Sequence, residues 1–504
     1  MKPRTILLFL VLSCFPSAAD APPGTVAEAR HEMFAARYEH AAQLYRTLLE
    51  TEPDEGEAWY GLVRCELSLH HSRLAYAAAN GALKSANQTP GAQTAAGLAM
   101  YRRGDLSKAE THFRAALKIK PDYPGAFAGL ASVYSAVSLS KSARDLRLIA
   151  WQLSPDDPEL IAAHVASLKG DERIRALEAV LTALNPSSEE ARDLRVHIAN
   201  ERAAGPRKLR RLTSPYQAAQ VKLFRVLDGL SRDRGVGIVL RLNGKQNARL
   251  LLDTGASGIS IAPKLAEKAG LRVISGEAGE ARGIGDDKPQ SEIAYLADEA
   301  RAGDVVFADY PIAVFNSAKS ADYDGLIGAD VFDRFLVKID FPQLVLSLET
   351  RPGGSDAFEE PADFAGAPPA GFYRMVRFGD HLTIPTFING RPQSSLFLLD
   401  SGSTSNLIDT DTAKEFAGGT SSDSMIGVRG IQGKAIEASR TGRVSLVFAG
   451  FRQDNPEIIS ISLEKMSDAM GVGFGGILGM PVLRNLAVTI DYREGTVKFD
   501  YRRP

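Results

Sequence analysis

From about residue 22 to about residue 200, small and apolar residues return every three or four positions, the spacing that lines one face of an α-helix. That pattern is itself periodic. Ala41, Ala75, Ala109 and Ala143 stand 34 residues apart, and Pro53, Pro121 and Pro155 mark the same phase, with Asn87 in the remaining slot. Such a period predicts stacked helix pairs, with small residues where the two helices of a pair approach and a large residue between pairs. Past Val221 the texture changes to short β-branched and aromatic runs broken by Gly. In Gly237-Ile238-Val239-Leu240-Arg241-Leu242-Asn243-Gly244, the Asn243-Gly244 step between two such runs predicts a β-hairpin.

Four helical units fill residues 22 to 157, and further helices to 203 cap the stack. Gly97, Ala109, Phe113, Ala116 and Pro121 of the third unit, Trp59 and Leu62 of the second, and Phe127, Leu130 and Tyr134 of the fourth together resemble tetratricopeptide repeats. The resemblance implies a concave face that docks a protein partner or substrate, with simple spacing as the plainer alternative. The basic run Gly205-Pro206-Arg207-Lys208-Leu209-Arg210-Arg211 belongs to a solvated connector, 204–218. The β-rich remainder divides into a lobe at 219–350, a linker at 351–371 holding Pro352, Pro361, Pro368 and Pro369, and a lobe at 372–504.

The two lobes are copies of one another. Leu251-Leu252-Asp253-Thr254-Gly255-Ala256-Ser257 recurs 147 residues later as Leu398-Leu399-Asp400-Ser401-Gly402-Ser403-Thr404, and Arg282-Gly283-Ile284 recurs at the same offset as Arg429-Gly430-Ile431. Leu326-Ile327-Gly328 through Val337-Lys338-Ile339-Asp340-Phe341 returns 151 residues on as Ile477-Leu478-Gly479 through Val488-Thr489-Ile490-Asp491-Tyr492. An apolar strand running into Asp-Thr/Ser-Gly anchors its backbone in a core, and the Gly is expected to permit the tight turn that leaves the carboxylate at the surface. Two such turns facing one another bring their carboxylates within hydrogen-bond reach. Charges that close do not both ionise, so the pair shares one proton and can serve as general base and general acid at once.

These motifs resemble those of aspartic peptidases, retropepsin-like and pepsin-like, over roughly residues 220 to 504. The resemblance implies an all-β bilobal aspartic-peptidase fold behind an all-α solenoid, with Asp253 and Asp400 as the catalytic dyad and peptide or protein as substrate. It implies that Thr254 and Ser401 bond across the lobe interface and that Gly255, Gly402 and Ser403 support the turns. Leu326-Ile327-Gly328 and Ile477-Leu478-Gly479 would thread beneath them. Segments 281–290 and 427–435, with Gly283, Ile284, Gly285, Gly430 and Ile431, resemble flaps over the substrate; neither holds the tyrosine usual in the pepsin-like flap, so the plan is nearer a fused retropepsin dimer. A hydroxyl at Ser403, where the first lobe has Ala256, leads us to expect a better stabilised charge on Asp400 and the shared proton on Asp253.

Composition narrows the alternatives. Across 504 residues, 44% are hydrophobic and 24% charged, a globular mixture, and a net charge of -2 gives no reason to expect nucleic acid as partner. His381 is the only histidine after residue 197, no His-Glu-x-x-His occurs, and the β half has no cysteine, which leaves little scope for zinc or for a Ser or Cys nucleophile. No cofactor or metal is expected. Gly471-Val472-Gly473-Phe474-Gly475-Gly476 fits a dinucleotide motif only formally, and reads as the loop entering the second lobe's last strand. Lys2 and Arg4 ahead of the apolar run Ile6 to Leu12, with Ser17 and Ala19 beyond, predict a signal peptide over 1–19 and a secreted or periplasmic protein. In the alternative, Val11-Leu12-Ser13-Cys14 is a lipobox, and only lipidated Cys14 would hold the chain to a membrane. Cleaved after Ala19, the chain keeps Cys65 as its single thiol and forms no internal disulfide. Two further arrangements stay open: an inactive peptide-binding scaffold, and like lobes paired between two chains.

Overall fold

The computed structural model describes residues 24–165, 168, 170–183, 186, 189–205, 208–227, 233–281, 290–315, 323–351, 368–416, 420–421, 428–429, 435–436 and 438–502. The segment expected as a leader, Cys14 and most of the 351–371 linker lie outside the described residues. The chain forms two compact units that divide near residue 201.

In the first unit, helices Tyr38–Thr51, Ser72–Ser85, Leu106–Ile119 and Ser140–Leu153 follow the 34-residue phase of the sequence, as do Gly56–Ser68, Pro90–Arg102 and Pro124–Ala136. Ala41, Ala75, Ala109 and Ala143, the fourth residue of each helix in the first set, are fully buried. Small residues are needed there because neighbouring helices pack at backbone distance. Phe113 shows the complementary requirement. Its ring fills the space beside Gly97 and Gly129, where an added Cβ would lie 2.5 and 2.2 Å from ring carbons. Side-chain caps from Thr25, Glu55, Thr89 and Asp105 satisfy first-turn N–H groups that the helices cannot satisfy themselves.

The second unit is built from strands, in two lobes. The first contains β1 (Ala219–Leu227), β2 (Asp233–Leu242), β3 (Gln246–Leu252), β4 (Arg272–Ala281), β5 (Gln290–Ala302), β6 (Gly325–Ile327), β7 (Leu336–Asp340) and β8 (Val345–Glu349). The second contains β9 (His381–Ile388), β10 (Ser394–Leu399), β11 (Val428–Arg429), β12 (Ala435–Ile436), β13 (Gly476–Leu478) and β14 (Leu486–Asp491), among others. The β2–β3 hairpin turns at Asn243 and Gly244, with φ of 49° and 64°, a left-handed backbone that Asn and Gly tolerate. The β9–β10 hairpin repeats the device at Asn389 and Gly390, with φ of 51° and 70°.

The lobes share one core and one sheet. β7 pairs antiparallel with β14, its own copy, in the register Val337↔Ile490, Lys338↔Thr489, Ile339↔Val488. The pseudo-twofold axis of the duplication therefore passes through the Lys338–Thr489 pair. Inward residues of both lobes, from Leu240 and Leu250 to Leu399 and Leu446, belong to a single buried apolar cluster. The 471–476 glycine run enters β13 and not a last strand; Leu486–Asp491 and Thr496–Tyr501 follow it.

Candidate active site

β3 and β10 carry buried leucines straight into Asp253 and Asp400. Alongside each lies a short parallel strand, β6 beside β3 and β13 beside β10, with Leu251 opposite Leu326 and Leu398 opposite Ile477. These neighbours fix where the turns begin: the Asp253 N–H donates to the Ile327 carbonyl at 2.9 Å and the Asp400 N–H to the Leu478 carbonyl at 3.1 Å. Backbone groups in a buried turn must find partners, and the threaded strands supply them.

The turns are locked to one another. Thr254 Oγ1 donates to the Leu399 carbonyl at 2.8 Å, and Ser401 Oγ donates to the Leu252 carbonyl at 2.7 Å. Each hydroxyl also accepts the other residue's backbone N–H at 3.0 Å. Both turns come from one chain, so the site is complete without a second copy.

Gly255 and Gly402 have a reason different from the expected one. Neither has positive φ. Their role is clearance, since a Cβ on Gly402 would lie 2.5 Å from Asp253 Oδ2 and one on Gly255 2.9 Å from Asp400 Cγ. Each carboxylate thus packs on the glycine of the opposite turn, and the two carboxyls hydrogen-bond to one another. Gly255 N donates to Asp253 Oδ1 and Gly402 N to Asp400 Oδ1, both at 2.8 Å. Burial raises the pKa of Asp400 well above the usual carboxylate range, and the neighbouring Asp253 charge adds to it. Burial also raises Asp253, opposed by hydrogen bonds from Gly255, Asp400 and Ala256 and by nearby His381.

The expectation for Ser403 is overturned. Its hydroxyl donates to the Ser405 carbonyl at 2.9 Å, and Asp400 receives only its backbone N–H, at 3.0 Å. Asp253 has the equivalent backbone bond from Ala256, so the side chain at this position does not distinguish the two acids.

What does distinguish them is His381, which sequence reasoning set aside as a lone histidine. It opens β9 beside the turn at Gly379 and Asp380. Burial lowers its pKa, while Asp380, a hydrogen bond to the Gly255 backbone and the Asp253 carboxylate act to raise it. The second lobe thus places an ionisable ring against the first lobe's turn. The visible signal was position: His381 is the one histidine in the repeated half and precedes an aspartate turn by a single hairpin.

Asp330 was also missed. Both its oxygens accept the Gly258 N–H, at 2.9 and 3.0 Å, bracing the end of the first turn. Burial raises its pKa to about 6, with the Gly258 bond opposing and the Asp380 charge assisting. In the second lobe the bracing group is neutral, Asn406 Oδ1, which accepts the Gly479 N–H at 3.0 Å.

Paired strands border the two segments expected as flaps, β4 with β5 ending at Ala281↔Gln290, and β11 with β12 pairing Val428↔Ile436. Gly283, Ile284, Gly285, Gly430 and Ile431 lie outside the described residues. Among the described residues no His, Cys, Asp and Glu group is arranged to hold a metal ion.

The family model for aspartyl proteases matches residues 238–331 and again 384–482, one copy over each turn, and that for tetratricopeptide repeats matches 26–86 and 66–124. No curated protein matches. Among solved structures, the aspartic proteinase from Irpex lacteus is 13% identical, with 56% of this chain and 97% of that one aligned at a TM-score of 0.38. A thermophilic TPR protein of Thermus thermophilus is 22% identical over 35% of this chain and 96% of its own, with a TM-score of 0.27. The pilF protein of Pseudomonas aeruginosa is 15% identical over 34% and 81%, with a TM-score of 0.24.

Proposed function

We propose that this chain, which carries the aspartyl protease domain as two tandem copies behind tetratricopeptide repeats, is an endopeptidase whose chemistry belongs to Asp253 and Asp400. The observation that carries the reading is the contact of the two acids, each seated on the other's turn glycine and hydrogen-bonded to its partner.

The chemistry follows from one shared proton. Asp400, the acid whose pKa burial and its neighbour raise furthest, holds it, and Asp253 stays ionised beside His381. A water between them gives a proton to Asp253 as its oxygen attacks the scissile carbonyl carbon, while Asp400 protonates the carbonyl oxygen. The resulting diol collapses when Asp253 passes its proton to the amide nitrogen, the C–N bond breaks, and Asp400 regains its proton from the hydroxyl. No metal or cofactor enters these steps. The repeats would dock a protein partner or the substrate. The leader at 1–19 would send the chain to the periplasm or outside, or anchor it through Cys14.

The test compares the purified chain with Asp253→Asn and Asp400→Asn on a peptide library across pH, with and without a pepstatin-type inhibitor. Inhibitor-sensitive cleavage lost in both variants is the expected result. Cleavage that survives in both removes the dyad, and a wild type that binds peptides without ever cutting them makes the β half a binding scaffold.

A further inference from the structure

The stretch expected as a solvated connector is built into the first lobe from Arg210 onward. Arg211 and Leu212 pair antiparallel with Ala308 and Phe307 of the strand Val305–Val314, and the Thr213 N–H donates to the Val306 carbonyl at 2.8 Å. This strap ends at Tyr216, half-buried, whose ring centroid lies 5.1 Å from that of the fully buried Phe335. The Tyr216 hydroxyl donates to the Arg334 carbonyl at 3.0 Å and accepts the Arg351 N–H at 3.1 Å.

The duplication shows what this hydroxyl replaces. Arg334 and Arg351 correspond, 151 residues on, to Asn485 and Arg502, where the Arg502 N–H donates straight to the Asn485 carbonyl at 2.9 Å. In the first lobe the same two backbone groups stand one hydroxyl apart, and Tyr216 closes the gap. Arg351 extends the closure, because its guanidinium donates to the Asp333 and Arg334 carbonyls, both at 3.2 Å, and to Asp491 of the second lobe at 2.7 and 3.3 Å. Its counterpart Arg502 faces Asp340 of the first lobe at 3.3 Å, so the end of each lobe is tied to the other. What Arg334 continues is the foot of a catalytic turn. Residues Ala329–Phe332 form one 3-10 turn, after which the Asp333 N–H donates to the Asp330 carbonyl at 3.0 Å and the Phe335 N–H to the Phe332 carbonyl at 2.9 Å. Asp330, Val331, Phe332 and Phe335 are all buried, and a close-packed segment of this kind moves as a unit. Its near end lies against the Asp253 turn: the Gly328 N–H donates to the Gly258 carbonyl at 2.8 Å, the Asp330 carboxylate accepts the Gly258 N–H at 2.9 Å, and a Cβ on Gly328 would come 2.5 Å from the Ala256 carbonyl oxygen.

We propose that Tyr216 is a positioning residue for the peptidase site: by bridging Arg334 and Arg351 it fixes the 328–335 segment and, through Asp330 and Gly258, the turn that carries Asp253. The role rests on the peptidase reading of the dyad. Small displacements matter there, since a misplacement of about 1 Å at reacting groups can cost on the order of a hundredfold in rate. The catalytic unit then begins at the strap, ahead of Tyr216, and not at residue 219.

The experiment is Tyr216→Phe in the full chain, which keeps the ring on Phe335 and removes the hydroxyl alone. Two quantities are measured beside wild type: steady-state cleavage of a peptide that wild type cuts, and native-state hydrogen exchange followed by mass spectrometry. Cleavage should show kcat lowered about tenfold with KM unchanged, because the dyad is displaced while the groups that hold substrate are intact. Exchange across residues 253–258 should quicken about fivefold, the effect of one lost hydrogen bond, while the rest of the first lobe keeps its protection. Exchange at 253–258 equal to wild type overturns the proposal, as does an unchanged kcat. So does exchange that quickens evenly through residues 219–504, since the hydroxyl would then serve global stability only. A wild type that cuts no peptide fails the peptidase reading instead, and the exchange result still decides whether Tyr216 holds the turn.

Discussion

Thr254 and Ser401 exchange hydrogen bonds across the lobe interface, each backbone N–H donating to the other's hydroxyl at 3.0 Å. Because each hydroxyl also donates to a buried carbonyl, its removal strands two backbone groups at once. Thr254→Val keeps the shape and leaves the Ser401 N–H and Leu399 C=O unpaired, which should cost about 2–4 kcal/mol. Thr254→Ser should stay within about 1 kcal/mol of wild type. Urea unfolding measures both, and equal midpoints for the two variants would mean that this exchange does not hold the turns.

The dyad should show itself in stability as well as in turnover. Both acids have folded pKa values raised by burial, so the folded state keeps protons that the unfolded chain has lost. Stability from this source is present below the unfolded carboxyl pKa and is lost as pH rises through the folded values. Asp253→Asn and Asp400→Asn should each lower kcat by about a thousandfold. Asp400→Asn should also flatten the fall of thermal midpoint between acidic and neutral pH. A variant with an unflattened profile would place the titration elsewhere.

His381→Gln should move the acid limb of the pH–rate profile upward. Burial lowers the ring's pKa, so it is a cation only toward acid, where it favours ionised Asp253; its removal there raises the pH at which the pair gives up its first proton. The groups that set the ring's own charge are Asp253 and the Gly255 backbone from the first lobe and Asp380 on its own hairpin. Arg377 lies 3.8 Å from Asp380, and Asp330 and Asp333 feel the same Asp380 charge. An unmoved acid limb with kcat changed at every pH would give His381 a packing role only.

Much of this architecture is legible in the chain because it is repeated. Ala41, Ala75, Ala109 and Ala143 expose the helical period, and the recurrence of Leu-Leu-Asp-Thr/Ser-Gly exposes both the duplication and the pair of acids. What stays hidden is whatever the two copies do differently. His381 is such a case, since the position 147 residues earlier is Arg234, so no repeat points to it. Asp330 is another, bracing the first turn where the second uses Asn406 from a different place in its lobe. The Ser403 hydroxyl was misjudged because composition cannot say whether a rotamer turns toward a carboxylate or toward the Ser405 carbonyl. Gly255 and Gly402 read in the sequence as glycines of a tight turn, but their constraint comes from a residue 145 or more positions away and not from local backbone.

Asp330 gives the sharpest pH test of stability away from the dyad. It is buried, 5% exposed, and its folded pKa is pushed up to about 6 from an ordinary 3.8. With the folded value the higher one, the stability tied to its proton is full below pH 3.8 and is lost as pH climbs through about 6, up to about 3 kcal/mol in all. Asp330→Asn keeps an oxygen to accept the Gly258 N–H and removes the titration. Its thermal midpoint should therefore exceed wild type at neutral pH and converge with it in acid. Asp330→Leu, which removes the acceptor as well, should fall below wild type at both, because the Gly258 N–H is left without its partner. If Asp330→Asn instead tracks wild type across the whole range, burial does not raise this carboxyl, and the bracing bond to Gly258 alone accounts for an acid at that position.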